Sequence, residues 1–149
     1  MRRAQCAYYI PALDLNQIVY RTAGSADVQP GELSELFWQG ANAATGWNIT
    51  RAAAPSLPPG SPNGLSYVDP VAFHNPATNT KHVLYQMNGF LKELSWPLGT
   101  LAARHKDLTI AGLAPSVVEA SMRPAAFLAG PTVHLPFRGR DGYVYEIVR

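Results

Sequence analysis

Three glutamates recur in the same local setting: Gly31, Leu33, Glu35, then Gly89, Leu91, Glu93, then Gly142, Val144, Glu146, each a Gly-x-apolar-x-Glu element. Trp38 and Trp96 follow the first two glutamates at the same offset, and Arg149 stands in that place after the third. Paired carboxylates perform acid and base work in glycoside hydrolysis, but only when two of them flank one bond within roughly 10 Å. Repetition assigns these three to separate units. The sequence carries no nucleophile elbow, phosphate loop or His-Glu-x-x-His element. His74, His82, His105 and His134 do not stand at metal-ligand spacing. The expectation is a protein with no enzymatic activity, no cofactor and no metal, whose repeated carboxylates accept hydrogen bonds.

The element that presents the second glutamate is a hairpin over residues 82–96. His82 to Gln86 is a short run rich in Val, Leu and Tyr, and Met87-Asn88-Gly89 supplies the turn. Phe90 to Trp96 then alternates large apolar with polar residues, the period of a strand with one buried face. Weaker copies flank it. Residues 17–21 precede residues 31–38 upstream, and residues 133–149 repeat the hairpin downstream with Asp141-Gly142 at its turn. The glutamates lie 58 and 53 residues apart, by subtraction of their numbers. That spacing is too long for a helical solenoid unit and close to one four-stranded β-propeller blade with generous loops.

Glycine and proline supply 12 and 13 of the 149 residues, spread along the whole chain, and no window shows helical periodicity with caps. The first unit reads as strands at Ala7–Ile10, Gln17–Arg21, Leu33–Trp38 and Trp47–Arg51, with a polar insertion over Thr22–Pro30. Residues 56–64 are too rich in Pro and Gly to pair, and they form a connection. Pro70, Ala72 and Phe73 open a second cycle through His82–Gln86, Phe90–Trp96 and Asp107–Ala111, closed by Ala114-Pro115. Pro124, Ala126 and Phe127 open a third, through Val133–Phe137 and Tyr143–Val148, without a fourth strand. Leu98–His105 and Val117–Ala120 are read as loop, because Pro97, Pro115 and Pro124 fence them. The expected fold is all-β, a partial β-propeller of about three four-stranded blades in one repeat domain, with blades at 5–55 and 68–115 and an incomplete one at 122–149.

A formal charge of +2, from 12 basic and 10 acidic residues, and no basic cluster interleaved with aromatics, argue against nucleic acid as a partner. The single cysteine, Cys6, excludes an intramolecular disulfide and a Cys-based zinc site. Residues 4–10 follow Met1-Arg2-Arg3 but contain Gln5 and run into Pro11, so they lack a signal-peptide core, and no stretch reaches transmembrane length. A soluble chain without a signal peptide or a membrane partner is expected, its compartment open.

The apolar-aromatic strand, the Asn-Gly or Asp-Gly turn, and the x-apolar-x-Glu strand with its Trp together resemble the blades of β-propeller lectins, especially the fungal fucose-specific type and related bacterial propeller lectins. The resemblance implies a sugar held between neighbouring blades by an Arg opening the second strand, a Glu on the third and stacking aromatics. The Glu is present as Glu35, Glu93 and Glu146, while the place of the Arg falls on Gln17, His82 and His134. An amide or imidazole thus replaces the charge-assisted partner. The set still suits a glycan: carboxylates accept from hydroxyls, imidazole or amide donates, and Trp38 and Trp96 offer indole faces. A structural reading stands beside it, in which the glutamates pair with neighbouring strands and both tryptophans are core. The implied function is non-catalytic carbohydrate binding. The alternative is a protein–protein interaction module, or a fragment of a larger propeller repeat protein without a ligand of its own. Fewer than three full blades leave open faces, so a homo-oligomer that completes the propeller is expected.

Overall fold

The computed structural model describes residues 3–23, 31–56, 69–87, 89–108 and 124–149. Asn88, most of the 56–64 connection, the last three residues of Asp107–Ala111, Ala114-Pro115 and Val117–Ala120 lie outside them. The described chain is all-β apart from short helical turns, and it forms three antiparallel meander sheets. The first contains β1 (Arg3–Ile10), β2 (Leu15–Arg21), β3 (Leu33–Gln39) and β4 (Thr45–Asn48). The second contains β5 (Val71–Asn75), β6 (Thr80–Met87), β7 (Phe90–Pro97) and β8 (Arg104–Asp107). The third has β9 (Phe127–Ala129), β10 (Thr132–Arg138) and β11 (Val144–Val148). Each sheet is open, and neighbours in sequence are neighbours in space. No helix among the described residues is long and apolar enough to cross a membrane.

The central hairpin takes the expected register: Val83 pairs with Leu94, Leu84 with Glu93 and Tyr85 with Lys92. Its burial differs from the expected single face. Leu91, Lys92, Glu93 and Leu94 are all buried, because the second sheet is covered on both sides. One side puts Val83, Tyr85, Leu94 and Trp96 against Val19, Leu33, Ile49 and Ala53 of the first unit. The other puts Leu84 and Leu91 against Val133, Leu135, Phe137 and Ile147 of the third sheet. Side chains alternate across a strand, so one apolar run feeds two cores, each fully buried aliphatic residue contributing about 1.5–3 kcal/mol.

Residues 47–51, expected as a strand, divide instead. β4 ends at Asn48, whose side chain accepts from the Arg51 N–H at 2.9 Å and caps the short helix α1 (Ile49–Ala53). Ile49 and Ala53 then turn into the first core. Arg104–Asp107 is a strand, so the end of the Leu98–His105 loop pairs with β7. The Asp141-Gly142 turn forms as expected: Asp141 Oδ1 accepts from the Tyr143 N–H at 3.1 Å and Gly142 has φ +88°, a conformation open to glycine.

Candidate functional site: a carboxylate relay between sheets

Strand register superposes the three units on one another. Gln17 pairs with Tyr8 on one side and Phe37 on the other, His82 with Phe73 and Ser95, and His134 with Phe127 and Val148. Two positions before the third-strand partner, and so on the same face, stand Glu35, Glu93 and Glu146. The set is therefore an aromatic, a Gln or His, and a Glu across three adjacent strands. In the second unit the Phe73 and His82 rings stack at 4.9 Å, and His82 Nδ1 lies 2.7 Å from Glu93 Oε1. In the third, Phe127 and His134 stack at 4.8 Å, with His134 Nδ1 3.1 Å from Glu146 Oε1.

The surroundings of the three glutamates differ. Glu35 is fully buried, and Lys81 Nζ, from the second sheet, donates to its two oxygens at 3.1 and 3.2 Å. Trp47 Nε1 donates to Oε2 at 2.6 Å. The Lys81 ammonium also lies 5.3 Å from the centre of the Phe37 ring and 5.6 Å from that of Trp96. Burial pushes this ammonium below the ordinary lysine range, and the Glu35 carboxylate works against that shift. Burial, followed by the Glu35 charge, pushes the neighbouring Tyr8 phenol well above its usual range.

Glu93 is buried as well, and its cation comes from the third sheet: Arg149 Nη1 donates to Oε2 at 2.8 Å, and Nη2 reaches Oε1. Arg149 exchanges both backbone hydrogen bonds with Val133, at 2.7 and 3.1 Å, so it occupies in the third unit the place of Trp96, which lies across from Lys81. Burial by itself would raise the Glu93 carboxyl, but hydrogen bonds from Arg149 and His82 outweigh it and hold the group at about 2. The glutamate of one unit is thus neutralised by a cation of the next. Among the described residues Glu146 has no such cation from a further sheet: its side chain is 42% exposed, and the Phe127 ring stacked on its His134 partner is 50% exposed.

Among the expected site residues, Trp96 is core, packed edge-to-face on Trp47 with ring centres 5.4 Å apart. Trp38 is half-buried in a groove of about 470 Å³ on the outer side of the first sheet. Gln17 is buried, and neither of its amide atoms meets a partner among the described residues. The structure unites His82 with Glu93 and His134 with Glu146, while keeping Trp38 and Trp96 apart from those pairs. Sequence reasoning missed Lys81, Arg149 and Trp47 as the partners of the glutamates. The available signals were a lysine inside an apolar strand and an arginine replacing a repeated tryptophan. Phe73 and Phe127 were visible only as the ends of repeated Pro-x-Ala-Phe segments.

Cys6 bridges the same two units as Lys81, accepting from the Ala72 N–H at 3.2 Å and donating to the Ala72 carbonyl at 3.4 Å. No three His, Cys, Asp or Glu side chains gather as a metal would require among the described residues. The chain matches no protein-family model and no curated protein sequence.

Proposed function

We propose that the three sheets are blades of a β-propeller and that the chain is a non-catalytic, lectin-like carbohydrate-binding protein whose glycan contact is the third unit's Phe127, His134 and Glu146. One observation carries this reading: of three equivalent polar sets, the third leaves its carboxylate open to solvent. A carboxylate accepts from adjacent sugar hydroxyls, an imidazole held against it supplies a further polar contact, and a phenyl ring covers the C–H face of a pyranose. Glu35 and Glu93 serve here as staples between blades, because each is already saturated by a neighbouring cation. The test is a glycan array with the whole chain. Hits abolished by Glu146→Gln, with unfolding unchanged, support the reading, and a flat array from folded protein overturns it.

A second reading, a protein–protein interaction module, draws on the apolar residues that the third sheet exposes, Val144 at 75% and Val148 at 54%. It takes precedence if the array is flat.

A further inference from the structure

The two faces of a sheet have different partners in this stack. In the second sheet, the side bearing Lys81, Val83, Leu94 and Trp96 packs on the first sheet, and the side bearing Leu91 and Glu93 packs on the third. Register carries both sides to the ends of the stack. Lys81 pairs with Trp96 and Val83 with Leu94, as Asn16 pairs with Trp38 and Ile18 with Leu36. The outer side of the first sheet is therefore the counterpart of a face that the second sheet buries. It is an apolar groove lined by Tyr9, Asn16, Ile18 and Trp38, with Tyr9 51% exposed.

At the other end, Val144 occupies the position of Leu91, two residues before the glutamate in each unit. Leu91 is 0% exposed and Val144 is 75% exposed. The same position is sealed between sheets in one unit and bare in the next. Val148, two residues after Glu146, is 54% exposed, and Phe127 is 50% exposed. Both ends of the stack thus present halves of the interface that already joins its middle, and in the same sense: one end carries the half that the other lacks.

We propose that the open face of the third sheet docks on the open face of the first sheet of a second copy of this chain, head to tail. Two copies joined this way use both pairs of faces and leave neither end bare, the closed arrangement that a symmetric pair allows. The occupant follows from continuity with the existing interface, since the first sheet's outer face repeats the Val83, Leu94 and Trp96 surface at Ile18, Leu36 and Trp38. The docking stands independently of any glycan. One consequence rests on the carbohydrate reading: where Lys81 and Arg149 bring a cation to Glu35 and Glu93, the second copy brings uncharged Asn16 and Trp38 toward Glu146. The carboxylate then keeps its acceptor capacity for sugar hydroxyls, with an indole alongside.

Sedimentation velocity on the full chain at micromolar concentration tests the docking. The wild type is expected to sediment as at least two chains. Trp38→Lys disables one face and Val144→Lys the other, so each alone is expected to reduce the mass to that of a single chain. Mixed, the two variants retain one intact pair of faces, and a two-chain species is expected to return. Tyr9→Lys, at an exposed position, replaces Trp38→Lys if that variant loses its circular-dichroism signature. A monomeric wild type, an assembly indifferent to both substitutions, or a mixture that stays monomeric overturns the proposal. The glycan array decides the carbohydrate reading separately, so either can fail while the other stands.

Discussion

Arg149 of the third sheet donates from Nη1 to Glu93 Oε2 of the second at 2.8 Å, across 56 residues of sequence. The pair is partly buried, and the His82 ring contacts the same carboxylate from the side at 2.7 Å. An ion pair in such a place is costly to break from one end, because removal of one partner strands a desolvated charge.

Arg149→Met is therefore expected to destabilise the chain by about 2–4 kcal/mol. Adding Glu93→Gln to that variant recovers roughly 1–2 kcal/mol, because the stranded charge is removed with its partner. Urea unfolding of the two single variants and the double variant closes the cycle. Additive losses would mean that Arg149 and Glu93 do not act as a pair.

Lys81→Met carries a heavier cost, about 3–5 kcal/mol, since Glu35 is 0% exposed and loses its cation while the Trp47 donor, which is neutral, remains. The loss is read as a lower urea midpoint. A loss below that of Arg149→Met would contradict the deeper burial of the first relay.

Acid sensitivity follows from Glu93. Its carboxyl is held at about 2 in the folded chain against an ordinary 4.5, so the folded state favours the ionised form. That stabilisation is fully present above about pH 4.5 and is lost as pH falls toward 2, amounting to about 3 kcal/mol. Stability measured across this range should fall less steeply in Glu93→Gln than in the wild type. Parallel curves would remove Glu93 as the source.

The two repeated tryptophans should part company. Trp96→Ala opens a void between the first and second sheets and costs about 3–5 kcal/mol, whereas Trp38→Ala, on the outer groove, costs under about 1 kcal/mol of intrachain stability. Thermal unfolding at submicromolar concentration, where the proposed association would contribute least, compares them.

Gln17 gives a prediction of opposite sign. The residue is 1% exposed and its amide lacks a partner among the described residues at both nitrogen and oxygen, so Gln17→Met should stabilise the chain by about 1–3 kcal/mol. A fall in the melting temperature would show that the amide is satisfied in solution.

The sequence by itself determined the all-β character, the repeated hairpins and the register of His82–Trp96, because period-2 alternation and glycine-bearing turns act over a few neighbouring residues. Gly142 at φ +88° and the pairing of Val83 with Leu94 both follow from such local rules. The conversion of residues 49–53 to helix was less legible, since one Asn48 cap and the pull of Ile49 into a shared core outweighed the strand-like Trp47–Arg51 pattern. Only the tertiary structure decided which glutamate is buried and which is open. Glu35, Glu93 and Glu146 are locally alike, but their environments are set by Lys81 at 46 residues' remove, by Arg149 at 56, and for Glu146 by the absence of a further sheet against its face among the described residues. Desolvation and ion pairing depend on what packs against a face, and a strand's own residues specify the face without specifying its neighbour.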